Sequence, residues 1–263
     1  MCRHLAYLGP ATPVAGVLRA GATSLLTQSY APRDMRGGGT VNADGWGVAW
    51  WGEDATGAGG VHRYRSERPM WTDEPGLVTT AAVRSPAVLA AVRSATVGMP
   101  VVHTACAPFV GDGFAFSHNG VVRGWPGSLA PLAAALPTTA LLTLEAPTDS
   151  AVLWAVLAAR LAVPGAEPGA ELARLCVEVG AAAPGSRLNL LLSDGTTAWA
   201  TTWDHALSVR DTGSSVVVAS EPTDAEPTDA DTPGAAPGWA AVPDRNLVTA
   251  RPGTVTVTPL EGL

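Results

Sequence analysis

The chain has no lysine and no isoleucine. All 16 of its Lys+Arg cations are arginine. The lack of lysine excludes Schiff-base and pyridoxal chemistry, and it excludes a phosphate-binding loop of the Walker type. With abundant Ala, Gly, Pro and Arg, the two absences read as GC-rich coding. Cysteine is scarce: Cys2, Cys106 and Cys176 are odd in number and far apart, and no CxxC pair occurs. A disulfide framework and a zinc ribbon are therefore not expected. The five histidines, His4, His62, His103, His118 and His205, form no pair at ligand spacing, so no metal and no cofactor is expected. Cations are outnumbered 16 to 23, for a net charge of -7, which argues against a nucleic-acid partner. Long apolar runs are missing too. Met1–Gly9 lacks the apolar stretch of a signal peptide. The most apolar later segment, 151–163, is broken by Arg160 and falls short of the roughly 20 residues a membrane span needs. A soluble cytoplasmic protein without membrane contact is expected.

What is present describes a globular chain. The 263 residues, 47% hydrophobic and 15% charged, suffice for one large domain or two small ones. Strands are expected at 46–51, 78–83, 114–117, 187–193, 196–203, 206–210, 215–220 and 254–258. Asp194-Gly195 is a hairpin signal between two of them. Helices are expected at 148–162, capped by Thr148 or Asp149, with Val152, Val156, Ala159 and Val163 as its stripe, and at 171–182, with Leu172, Leu175, Cys176 and Val179 on one face. Strands, then helices, then strands again favour antiparallel sheets with helices on their outer faces, an α+β fold. The segment 221–238 repeats Glu-Pro-Thr-Asp-Ala and is Pro-, Asp- and Ala-rich. It is expected as a mobile acidic loop within a single domain spanning 1–263.

Chemistry is expected first at Cys2. Removal of Met1 would give Cys2 a free α-amine, which at a pKa of about 7.7–8.0 can take the thiol proton and return it to a leaving amine. Four features then recur in order: Met1-Cys-Arg-His-Leu5; Asn42-Ala-Asp-Gly-Trp-Gly-Val48; Arg93-Ser-Ala-Thr96-Val-Gly98 with Pro100; and His118-Asn119-Gly120. Asp149-Ser150 follows at a helix start. The set resembles the class II glutamine amidotransferases, of the N-terminal nucleophile hydrolase superfamily, over most of the chain from Cys2 to about Pro222. The resemblance implies a four-layer αββα sandwich of two antiparallel sheets. It implies Cys2 as nucleophile, and the Asn119 side chain and Gly120 N–H as oxyanion donors. It places Arg93 on the α-carboxylate and Asp149 on the α-ammonium of a γ-glutamyl group, with Thr96 completing the pocket. Ala82-Val-Arg84-Ser85 nearly duplicates Ala91-Val-Arg93-Ser94; Arg93 is chosen because Ala-Thr-x-Gly follows it. Cys106 and Cys176 read as small buried hydrophobes.

The opening pentapeptide, the Asn42–Gly47 box, 91–100, 198–203 and Ala219-Ser-Glu-Pro222 are similar to one branch of the family. Its members release glutamate from γ-glutamyl-hercynylcysteine S-oxide in actinobacterial ergothioneine biosynthesis. The resemblance implies a small-molecule γ-glutamyl substrate carrying a trimethylammonium group, for which Trp71 or Trp125 would offer a ring face. A free-standing glutaminase or ammonia-supplying subunit, and a silent scaffold of the same fold, are the alternatives. The sequence does not set the oligomeric state.

Overall fold

In the computed structural model, residues 2–33, 41–53, 59–224 and 238–260 are described. The strands are β1 (Arg3–Pro13), β2 (Trp46–Glu53), β3 (Gly59–Ser66), β4 (Arg84–Val92), β5 (Phe109–Gly111), β6 (Phe114–Val121), β7 (Arg187–Ser193), β8 (Ala198–Thr201), β9 (Ser208–Asp211), β10 (Val216–Ala219), β11 (Ala240–Ala241), β12 (Asn246–Arg251) and β13 (Thr254–Pro259). They form two antiparallel sheets, one of seven strands ordered β11-β9-β10-β1-β4-β2-β3 and one of six ordered β13-β12-β8-β7-β6-β5.

Alternation along the strands builds the layers. Ala6, Leu8, Ala87 and Leu89 of the first sheet meet Ala115, Leu191, Ala198 and Ala200 of the second in a buried cluster between the sheets. Residues of the opposite phase, Leu5, Val88, Ala90 and Val92, turn outward onto Val14, Leu18, Leu25, Met70 and Leu77 from the short helices beside the first sheet. Phe116, Leu188, Leu190 and Leu192 turn outward from the second sheet onto Leu153, Leu157, Leu172 and Val179 of the helices Asp149–Leu161 and Pro168–Ala182. Three apolar seams thus separate four layers, helix–sheet–sheet–helix, as the α+β sandwich requires. Small residues dominate the middle seam, which lets the two sheets approach closely.

Several elements differ from the sequence reading. Val78–Val83 is not a strand: it falls in and just after the helix Glu74–Ala82, which Asp73 caps by accepting the Gly76 N–H at 3.3 Å, with Pro75 in the first turn. The strand follows it as β4. Pro86 is accommodated there because the β1–β4 register shifts between Leu8 and Thr12. Thr148, and not Asp149, caps the helix Asp149–Leu161 by accepting the Ala151 N–H at 3.2 Å. That helix buries Val152, Leu153, Val156 and Leu157, while Ala159 and Val163 of the expected stripe are exposed. The strand expected at 114–117 runs on to Val121 as β6, so Asn119-Gly120 lies inside it, paired with Asn189 and Leu188 of β7. The first residues of the segment 221–238, expected as a mobile acidic loop, are packed on the fold. Glu221 is buried, the Pro222 and Thr223 carbonyls accept from Thr23, Asp224 pairs with Arg210, and 225–237 lie outside the described residues.

Candidate active site

Cys2 stands at the head of β1, a strand flanked on both sides by β10 and β4. Its phase along the strand is that of Ala6 and Leu8, toward the second sheet. The thiol donates to the Ser94 carbonyl at 3.6 Å, and the Cys2 carbonyl accepts from Arg3 Nη1 at 2.8 Å. In the β1–β4 register Arg3 pairs with Val92, so the next step places Cys2 opposite Arg93. Arg84, the near-duplicate, sits at the far end of the same nine-residue strand, roughly 30 Å away, and donates to the Ala11 carbonyl.

The Asn42–Val48 box shapes the loop that follows Arg93. Arg93 N–H donates to the Gly45 carbonyl at 2.8 Å, Asp44 N–H donates to the Arg93 carbonyl at 3.0 Å, and the Asp44 carboxylate accepts the Ala95 N–H at 2.7 Å. Met99 N–H closes a turn onto the Thr96 carbonyl at 2.9 Å, with Gly98 at φ +90°. Positive φ at that third turn position is what glycine supplies. Gly45, at φ +107°, is equally constrained, since a Cβ there would lie 2.4 Å from the Cys106 sulfur. Burial pushes the Cys106 thiol up to about 11, so it packs as a neutral thiol beneath the loop. Arg93 Nη1 donates to the Pro100 carbonyl at 2.8 Å, and among the described residues no carboxylate pairs with its guanidinium.

The other wall comes from β6 and the helix Asp149–Leu161. Asp149 Oδ2 accepts the Val122 N–H at 3.1 Å. A carboxylate in a first helical turn is favoured by the helix dipole. His118 Nε2 lies 3.1 Å from the Arg187 carbonyl, an acceptor, so that nitrogen carries the proton. Its Nδ1 lies 3.2 Å from Ser150 Oγ, whose hydroxyl donates to Asp149 Oδ1 at 3.3 Å. Gly120 admits no side chain: a Cβ would stand 1.8 Å from the Arg187 carbonyl oxygen.

Cys2, Arg93, Thr96, Gly120 and Asp149 line one cavity, together with Ser94, His118 and Ser150. Asn119 does not line it. Strand alternation turns its side chain between the sheets, fully buried, and neither amide atom has a hydrogen-bond partner there. An amide left unpaired in the interior costs about 1–3 kcal/mol. Asp44, His118 and Ser150 were not singled out by the sequence reading, though Asp44 and His118 stand inside two of the recurring motifs. Neither Trp71 nor Trp125 lines this cavity. Trp71 packs edge-on against Tyr30 at 6.0 Å, and Trp125 packs on the core beneath the long helices. Among the described residues no cluster of His, Cys, Asp or Glu could hold a metal ion, and no helix is long and apolar enough to cross a membrane.

A thiol at the head of an inner strand, in a sandwich of two antiparallel sheets between helices, defines the N-terminal nucleophile hydrolase fold. Residues 20–213 match the family described as glutamine amidotransferases class-II. The chain belongs to that family. It is 40% identical over 262 residues to the γ-glutamyl-hercynylcysteine sulfoxide hydrolase of Mycolicibacterium smegmatis, covering 99% of this chain and all of the relative. It is 38% identical to the protein of the same name from Mycobacterium tuberculosis, covering 99% of this chain and 97% of the relative. Among solved structures, a glutamine aminotransferase class-II domain protein from Silicibacter pomeroyi shares the fold at a TM-score of 0.65 and 22% identity, over 98% of this chain and 99% of that one. The glutamine phosphoribosylpyrophosphate amidotransferase of B. subtilis shares it at a TM-score of 0.63 and 14% identity, with all of this chain covering half of that one.

Proposed function

We propose that this protein hydrolyses the γ-glutamyl amide of γ-glutamyl-hercynylcysteine S-oxide, releasing glutamate and hercynylcysteine S-oxide, as a cytoplasmic enzyme of ergothioneine biosynthesis. The observation that carries this reading is the shared cavity of the Cys2 thiol, the Arg93 guanidinium and the Asp149 carboxylate. A γ-glutamyl group presents an α-carboxylate and an α-ammonium at one end and an amide at the other. Arg93 binds the carboxylate as a fork, Asp149 binds the ammonium, and Thr96 closes the loop side. The end-to-end likeness to the mycobacterial sulfoxide hydrolases supports the choice of leaving group.

The reaction has two halves. Once Met1 is removed, the Cys2 α-amine takes the thiol proton, and the thiolate attacks the γ-carbonyl carbon. Negative charge on the carbonyl oxygen is met by the Gly120 N–H and by the Asn119 amide, which lies outside the cavity lining and without a hydrogen-bond partner, so that it must swing toward the oxygen to donate. The amine returns the proton to the departing nitrogen, the C–N bond breaks, and a γ-glutamyl thioester remains on Cys2. Water, deprotonated by the same amine, attacks the thioester, and glutamate leaves as the thiolate re-forms. Small-molecule binding is all this scheme requires; no cofactor takes part.

Mass spectrometry of the protein quenched during turnover tests it. A γ-glutamyl adduct on Cys2 in the Met1-free protein is expected. Unimpaired turnover by Cys2→Ala would refute the nucleophile.

A further inference from the structure

Two motifs remain without a role in this mechanism: Arg3, directly after the nucleophile, and Ser220-Glu221 at the end of β10. They meet. Arg3 has the phase of Leu5, so its side chain leaves the sheet on the face opposite to the thiol. There its Nε donates to Glu221 Oε2 at 3.0 Å, while Nη1 reaches back to the Cys2 carbonyl at 2.8 Å. Glu221 Oε1 accepts the Arg33 N–H at 3.0 Å, and its backbone carbonyl accepts from Gln28 Nε2 at 3.3 Å. Beside it, Ser220 Oγ accepts the His4 N–H at 3.1 Å and Ser220 N–H donates to the His4 carbonyl at 3.0 Å. The ion pair is almost wholly buried, with side-chain exposures of 1% and 6%. A buried pair gains little net stability, because desolvation offsets most of the attraction. A fork that joins the nucleophile's own carbonyl to a fixed carboxylate is better suited to orientation.

We propose that the Arg3–Glu221 pair is a positioning device for the N-terminal nucleophile: it fixes the main chain of Cys2, and with it the α-amine and the thiol, and it balances the charge beside the amine. This rests on the reading of Cys2 as nucleophile. Among the described residues, the titratable and charged groups around Cys2 are His4 on its own face of β1, Asp44 before β2, Arg93 and the neutral Cys106 thiol at the loop after β4, His118 on β6 and Asp149 on the long helix, with Arg3 and Glu221 on the opposite face of the strand. Removing the Glu221 charge makes the surroundings of Cys2 more positive by one charge, which disfavours the ammonium form and favours the thiolate. Both titrations then move to lower pH.

The test compares Glu221→Gln, Glu221→Asp and Arg3→Lys in the Met1-free protein. The pH profile of kcat is measured alongside the pH dependence of Cys2 alkylation by iodoacetamide, read by mass spectrometry. Glu221→Gln is expected to lower kcat by about tenfold to a hundredfold with KM little changed. It should also shift the acid limb and the alkylation curve down by roughly half a pH unit or more. Arg3→Lys keeps the charge and loses the fork, so kcat should fall with both curves in place. Glu221→Asp should return the curves to their wild-type positions. Wild-type kcat in Glu221→Gln, or an unmoved alkylation curve there, would overturn the proposal. If Glu221→Gln does not fold, Arg3→Lys decides, and wild-type kcat in it overturns the proposal. Alkylation needs no substrate, so a wrong substrate assignment would show as absent turnover while the pair is still tested.

Discussion

Arg93 and Asp149 reach one cavity from different layers, Arg93 from the loop after a strand of the first sheet and Asp149 from the first turn of a helix packed on the second. Between them opens the Cys2 thiol. Neither charge is matched by an oppositely charged Arg or carboxylate partner among the described residues; Asp149 has only His118 Nδ1, at 3.9 Å. A cation and an anion held apart in this way suit a zwitterionic ligand end.

Arg93→Ala and Asp149→Ala should therefore each raise KM for a γ-glutamyl substrate by about tenfold to a hundredfold, the loss of one charge-assisted contact of about 1.5–3 kcal/mol. Arg84→Ala, at the other end of β4, should leave KM unchanged. Steady-state glutamate release checks both. Normal KM in both site variants would show that the ligand's charged end lies elsewhere.

Asn119→Ala separates catalysis from stability. If the unpaired amide is an oxyanion donor, kcat should fall about 10²–10³-fold. The melting temperature should hold or rise, because a buried unsatisfied amide is removed. A large stability loss with modest loss of kcat would mark Asn119 as a structural residue.

Gly45→Ala tests the loop that carries Arg93. A side chain at φ +107° would also stand 2.4 Å from the Cys106 sulfur. Left-handed backbone costs about 1–2 kcal/mol and overpacking about 1–3 kcal/mol, so a clear drop in the denaturation midpoint is expected. Cys106→Ala should relieve part of it in the double variant; additive losses would contradict the contact.

His4 predicts a pH dependence of folding. Burial, then the neighbouring His205, His118 and Arg3, hold its pKa well below the ordinary value. The folded protein keeps it neutral, whereas the unfolded chain takes up the proton near pH 6.5. Its contribution is therefore complete above that pH and is lost as pH falls below it. The slope is at most about 1.4 kcal/mol per pH unit. His4→Asn should flatten the fall in denaturation midpoint between pH 7 and 5; an equal slope in both proteins would rule this out.

Most residues of the candidate site were legible because each carries a local signature. Cys2 follows Met1, Arg93 precedes Ala-Thr-x-Gly, Asn119-Gly120 follows an apolar run, and Asp149 opens a helix. What was not legible depends on distant partners. Val78-Thr79-Thr80 reads as strand by its β-branched residues, but Asp73 caps a helix there, and Trp46 Nε1 and the Tyr64 hydroxyl pin the cap residue at 3.0 and 2.8 Å. Glu221 opens an acidic, Pro-rich repeat and so reads as solvated. Its burial comes from Arg3, 218 residues away. The inward phase of Asn119 likewise follows from the register of β6 on β7, which no local pattern reveals.

The proposed reaction is attack by the Cys2 thiol on a γ-glutamyl amide whose leaving group is the sulfoxide-bearing amine. It is tested most directly by glutamate release from γ-glutamyl-hercynylcysteine S-oxide and from glutamine, side by side, with Met1-free protein. A higher kcat/KM is expected for the sulfoxide, with no release from either substrate by Cys2→Ala. Preference for glutamine would contradict the substrate assignment, and release by Cys2→Ala would contradict the mechanism.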